Sequence, residues 1–421
     1  MNEGQTKGDS PVAERRKLGR GSKAALAGIL VVGVLGGAAG IAIAQPWTQQ
    51  APASEAGTPL RTQPGLVTPV VKPLELGVTP TDGATEVNPA MSPQVKAVNG
   101  RVVSVHLADA KGVEVKGSVS ADGVTWTAQD PLAFNMAYTY EFTLADGAGR
   151  ETTKKQTFHT VTAANEADAA VFPRNGSTVG TGQPIQITFS EPVTNKDAVE
   201  KAVAITSTSN QDVRWHWYSD KMARIRPATF WAPNTKVTLA LKLFGVDFGK
   251  GMIGNFNADV SFTTGPSRLA VVDDTTKTMQ VFLDGQHVKT FPVTLGDAGW
   301  LSPTGYAVIM EQERYSHFNA GSIGLKPGDK GYYPPLTVEH ANRLTNSGVY
   351  VHQALPSAIP YIGNTNVSHG CVGLLPDDAA WFFNTFKPGD IVQTLNTGAP
   401  PIEPLEGWGD WNMDWATYAK H

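Results

Sequence analysis

Cys371 is the only cysteine in the 421-residue chain, and it lies within Ser368-His369-Gly370-Cys371. A second histidine, His352, closes the upstream stretch Val349-Tyr350-Val351-His352. A lone thiol cannot close an internal disulfide, so it is either an inert packing residue or a reactive group. Inert cysteines behave as small apolar residues inside strands and helices. This one stands among Ser, His and Gly, and glycine lets backbone approach a ligand closely. A free thiol, with a pKa of about 8.5, is only a few per cent thiolate at neutral pH. A nearby imidazole must raise that fraction or take the proton. His352 is the expected base, with an acceptor needed for its other ring nitrogen. His369 is the alternative base, and a packed core histidine is the bland reading of His352. The amides of His369, Gly370 and Cys371 are the expected oxyanion donors, since backbone N–H groups need no reorganisation as charge develops.

The elements that must position these groups read as mainly β. Arg268–Asp273, Thr278–Leu283 and residues 288–295 have strand character, with Asp284-Gly285 as a hairpin turn. Residues 347–352 form the strand that delivers His352. Pro376-Asp377-Asp378 opens one short helix, with proline and acids suited to a first turn. Lys387-Pro388-Gly389 stops it, and residues 390–396 are a closing strand. This domain covers 267–397. A tail, 398–421, carries Trp408, Trp411 and Trp415. It is too apolar to hang free and is expected to pack back on this domain or its neighbour.

Upstream, residues 76–163 and 164–266 read as two sandwich modules that are diverged copies. Pro80-Thr81-Asp82-Gly83-Ala84-Thr85 matches Pro173-Arg174-Asn175-Gly176-Ser177-Thr178. Each module ends on a similar strand, through Phe158 and through Phe262. Alternation at Tyr138, Tyr140, Phe142 and Leu144, and at Ile185, Ile187 and Phe189, is the pattern of antiparallel sandwich strands. With no cysteine pair, "immunoglobulin-like" describes architecture only. Spacer modules are the expectation. A sugar-binding face on Trp215, Trp217 and Trp231 is the alternative, although such residues more often pack in cores or between domains.

The first 23 residues carry Arg15, Arg16, Lys17, Arg20 and Lys23, and Ala24 to Ala44 follow without a charge. As a helix this run spans about 30 Å, a bilayer core. The preceding positive charge sets the amino terminus in the cytoplasm. The reading is a single-pass anchor at the cell membrane, with a cleavable signal ending at Ala42-Ile43-Ala44 as the rival. Either way the working part lies outside the membrane. Residues 45–75, rich in Pro and Thr, read as a tether. A formal charge of −4 gives no basic footprint for nucleic acid. Nine scattered histidines and one cysteine hold no metal-ligand spacing, so neither metal nor cofactor is expected.

Val351-His352, the loop 353–367 and Ser368-His369-Gly370-Cys371 resemble the signature of the L,D-transpeptidases. The layout resembles the membrane-anchored mycobacterial and corynebacterial members, with two immunoglobulin-like modules, a catalytic domain and a tryptophan-bearing tail. Gly363-Asn364-Thr365-Asn366, Phe230-Trp231 and Gly409-Asp410-Trp411-Asn412 carry the likeness further. The resemblance implies a cysteine acyl-enzyme that takes a peptidoglycan tetrapeptide stem, releases D-alanine and forms a 3→3 cross-link. Water as acceptor would give an L,D-carboxypeptidase. It also implies acylation by carbapenems. It makes His352 the base, oriented by the backbone carbonyl of Gln353. His369 supports the transition state and Ser368 braces the turn. The family motif continues Cys-hydrophobic-Asn or Cys-hydrophobic-Arg, whereas this chain has Cys371-Val372-Gly373, and residues 315–333 differ from the usual lid. Tyr350, Tyr315, Phe318, Asn366 and Gly373 are the expected substrate-binding positions, the aromatics having core packing as their alternative. Two other readings stand beside this one. One is a catalytically degenerate wall-binding scaffold, motivated by Gly373. The other is a papain-like wall endopeptidase, disfavoured because the cysteine follows the histidine.

Overall fold

The structure is a computed structural model and describes residues 72–420. The basic tail, the apolar run 24–44 and nearly all of the tether lie outside them. Among the described residues no helix is long and apolar enough to cross a membrane.

The matched Asp-Gly and Asn-Gly turns do the same job in both modules. Asp82 Oδ1 accepts from Thr157 N at 2.9 Å, and Asn175 Oδ1 accepts from Ser261 N at 2.9 Å. The following glycines, Gly83 and Gly176, each donate to a carbonyl of the module's last strand at 2.7 Å. Both glycines have positive φ, a conformation in which a Cβ is strained. Each turn leads into a short strand paired parallel with that last strand, Ala84–Val87 on Glu151–Thr160 and Thr178–Val179 on Asn257–Thr264.

The first module packs two four-stranded sheets around Trp126, Tyr140, Phe142 and Phe158. The second packs two four-stranded sheets around Trp217, Trp231, Phe189 and Phe262. Two of the three tryptophans considered for a sugar face are thus core residues, and Trp215 stacks on Trp217 at 6.0 Å. The second module also has a short helix, Lys196–Lys201, which buries Val199.

The third region is built on a nine-stranded sheet. Its spatial order is Gly305–Val308, Ile391–Leu395, Arg268–Asp273, Thr278–Leu283, Gln286–Thr294, Val372–Leu374, Tyr350–Gln353, Leu336–Arg343 and Glu311–Phe318. The expected strand 347–352 starts later, at Tyr350. Thr345 Oγ1 accepts from Val349 N at 2.9 Å and Gly348 has φ 98°, so residues 345–348 form a turn. The helix Pro376–Thr385 presents Ala379 and Phe382 to the core, and Phe382 stacks on Phe386.

The tail folds back as the sequence requires and bridges the second module to this sheet. Arg224 pairs with the fully buried Asp410 at 2.7 Å and lies over Trp408 at 4.4 Å. Arg226 lies over Tyr418 at 4.1 Å and donates to the carbonyl oxygens of Asp410 and Met413. Trp411 Nε1 donates to Gly182 O at 2.7 Å, and Asn412 exchanges two hydrogen bonds with the Tyr306 backbone.

Candidate active site

Parallel pairing of Tyr350–Gln353 with Val372–Leu374 places His352 beside Gly373 and Val351 beside Val372. Side chains alternate across a sheet, so Val351, Val372 and Leu374 enter the core while His352 and Gly373 share the opposite face. Cys371, two residues before Gly373, is on that same face. His352 and Cys371 both line a cavity of about 240 Å³, with Phe318, Tyr333, Thr294 and Ser357 among its other walls.

The imidazole is fixed. His352 Nδ1 lies 2.7 Å from the carbonyl oxygen of Gln353. That oxygen can only accept, so Nδ1 carries the proton and Nε2 is left with a lone pair. His352 is 8% exposed, and burial pulls it down to about 4, partly opposed by the hydrogen bond to Gln353. Cys371 is 7% exposed, and burial pushes its thiol up to about 12, opposed by the backbone of Tyr350. At neutral pH burial favours the uncharged form of both groups, which share the cavity as a neutral thiol and a neutral imidazole. The sulfur contacts Gly348 O at 3.6 Å.

The cysteine loop is held from beneath. Ser368 Oγ donates to Cys371 O at 2.6 Å and accepts from Gly370 N at 3.2 Å. Gly370 has φ 108°, outside what a residue with a Cβ adopts readily. Buried Ser302 donates to Gly370 O at 2.8 Å and accepts from Gly296 N at 2.9 Å. His369 is enclosed by Trp300 and Tyr333, each with ring centres 5.3 Å away. A Cβ on Gly331 would sit 2.9 Å from His369 Nε2, so this glycine allows the upstream segment to close over the ring. Burial and the nearness of Cys371 raise the Tyr333 phenol.

The expected site residues separate into two groups. Cys371, His352, His369, Ser368, Phe318 and Gly373 line the cavity. Gln353 and Gly370 act from just behind it, through the carbonyl and the turn described above. The Gly370 amide faces Ser368 Oγ, which leaves His369 and Cys371 as the expected oxyanion amides. Tyr315 is a correction, because it points away at 58% exposure under Arg314. Asn366 is another. Its side chain accepts from Leu295 N at 3.2 Å and donates to Asp274 at 2.7 Å, bracing the loop rather than facing the cavity. Tyr350 packs on Phe318 at 4.7 Å and supports a wall without forming it. Thr294, Ser302 and Tyr333 were not singled out from the sequence. Gly373 has a steric reason, since a Cβ there would meet Thr294 Cγ2 at 2.8 Å. Thr294 is itself engaged, donating to Thr365 O and accepting from Val367 N.

Residues 267–394 match the family described as the L,D-transpeptidase catalytic domain, and residues 84–247 match a bacterial Ig domain. The chain is 34% identical over 343 residues to L,D-transpeptidase 2 of Mycobacterium tuberculosis, covering 81% of this chain and 83% of that one. The chain belongs to the L,D-transpeptidase family. It is also 33% identical over 227 residues to L,D-transpeptidase 1 of the same organism, covering 54% of this chain and 84% of that one. A solved L,D-transpeptidase in complex with imipenem aligns with TM-score 0.48 and 32% identity, over 54% of this chain and 97% of that one.

Proposed function

We propose that this transpeptidase forms 3→3 peptidoglycan cross-links through a Cys371 thioester. The observation that carries the reading is the fixed tautomer of His352, which leaves the Nε2 lone pair free to take a proton in the cavity it shares with the thiol. With burial raising the thiol well above its ordinary value, very little of it is thiolate at neutral pH. The proton therefore leaves during attack rather than before it. Cys371 Sγ attacks the carbonyl carbon of the third stem residue and its proton passes to His352 Nε2. The amides of His369 and Cys371 stabilise the oxyanion. The tetrahedral intermediate collapses, the C–N bond breaks, and D-alanine leaves with the proton from His352. The side-chain amine of a neighbouring stem then attacks the thioester and His352 takes its proton; the C–S bond breaks, and that proton passes to the sulfur to regenerate the thiol.

β-Lactams of the carbapenem class would acylate the same sulfur. The uncharged run 24–44, with basic residues before it, supports a single-pass anchor that holds the catalytic part outside the cell membrane. The test is to incubate residues 72–421 with meropenem and weigh the product. A one-drug mass increase that is absent in Cys371→Ala is expected, and no adduct would favour a scaffold. Stem-peptide dimers from purified tetrapeptides would then show transfer, whereas tripeptide alone would show hydrolysis.

A further inference from the structure

We infer that His340 is a positioning residue, holding Gln353 so that its carbonyl fixes the His352 tautomer; this rests on the acyl-transfer reading above. The two histidines are connected through one residue. Gln353 presents its backbone oxygen to His352 Nδ1 at 2.7 Å and its side-chain Oε1 to His340 Nδ1 at 3.2 Å. A carboxamide oxygen only accepts, so His340 donates. The Gln353 peptide is thus held at its side chain while its carbonyl serves the base.

The backbone at His340 supports a role beyond packing. His340 lies within the strand Leu336–Arg343 with φ 54°. A left-handed histidine inside a strand is strained and persists only where its surroundings enforce it. Here the surroundings are explicit. The ring lies against Phe383 at 5.6 Å and is buried. Its carbonyl accepts from Asn342 Nδ2, which also donates to Val351 O, the residue before the base. Asn342 Oδ1 accepts from Gln312, whose amide also caps Phe383 O and Phe386 O at the end of the helix Pro376–Thr385. The network runs from that helix end to the catalytic imidazole, and His340 is its last side-chain donor.

The test is His340→Asn. Asparagine tolerates positive φ better than histidine, so the fold should keep or raise its melting temperature, but its side chain is too short to reach Gln353. The first readout is ¹⁵N NMR of His352. The wild type should show a single Nδ1–H tautomer, and the variant a mixture. The second is meropenem acylation, where the rate constant at saturation should fall about tenfold with half-saturation unchanged. Gln353→Leu should reproduce both effects, and the double variant should be no worse than either single one. Unchanged tautomer and unchanged rate in His340→Asn would overturn the inference. If the wild type forms no adduct, the acyl-transfer reading fails, while the NMR readout still decides the brace.

Discussion

The junction around Asp410 and the cavity around Cys371 both bury ionisable side chains, and they treat them oppositely. Asp410 is fully buried yet takes Arg224 on one oxygen and the Tyr218 hydroxyl at 2.8 Å on the other. Arg224 also donates to Gln186 and to Pro404 O, and Arg226 is ringed by Trp411, Trp415 and Tyr418. At the cavity, no opposite charge is supplied to either partner, and burial drives both to the neutral form. Matched buried charge holds a geometry, whereas unmatched ionisable groups remain ready to exchange a proton when a substrate arrives.

The largest effect should come from the cavity. Cys371→Ala should abolish β-lactam adducts by mass spectrometry, and His352→Gln should slow their formation by at least about 10³-fold. Both should leave the melting temperature within a few degrees of the parent. A large melting change in either would erase the contrast with the junction. Next is Asp410→Ala, which leaves Arg224 buried without its partner and should cost about 3–5 kcal/mol in urea unfolding. Acylation per folded molecule should stay within about twofold. Arg224→Met with Asp410→Leu should be less harmful than Asp410→Ala alone, and equal losses would show that packing of the tail, not charge matching, holds the junction. Removing residues 403–421 should likewise lower the melting temperature.

A subtler expectation concerns pH. His352 is depressed from 6.5 to about 4, so the folded state binds fewer protons between those values than the unfolded chain does. Its contribution is present above 6.5 and is lost as pH falls toward 4. Cys371 is raised from 9.0 to about 12, so its contribution is present below 9 and is lost as pH rises toward 12. Melting temperature against pH should therefore be highest between these limits, and His352→Gln should flatten the acidic side. Iodoacetamide alkylation of Cys371 should rise about tenfold per pH unit from 7 to 10, following the thiolate fraction. A plateau at neutral pH would indicate a preformed ion pair. The smallest effect should be Gly373→Ala, expected to cost about 1–3 kcal/mol by crowding Thr294 and to slow acylation severalfold. Thr294→Ser, which removes the methyl in the way, should recover much of the loss.

Local pattern was enough for several features. The strand that delivers His352, and the paired Asp82 and Asn175 turns, needed only neighbouring residues. Tyr315 and Phe318 show a limit that was available in principle. They are three apart on one strand, so period two puts them on opposite faces, and only Phe318 reaches the cavity. Thr294 and Ser302 were beyond reach for a different reason. They come from other segments, through the pairing of Thr294 with Gly373 and a serine that reaches Gly370, and no local period announces such partners. Asn366 is expected to bind substrate because it ends the Gly363-Asn364-Thr365-Asn366 run that leads into the cysteine motif. Its partner Asp274 is on a distant turn, and only the fold reveals that the amide is already engaged.

The cavity wall contains no Lys, Arg, Asp or Glu. A ligand entering it meets dipoles, aromatic faces and two neutral catalytic groups, not a fixed field. Ionic atmosphere has little to screen there, so occupancy and turnover should be nearly indifferent to dissolved electrolyte.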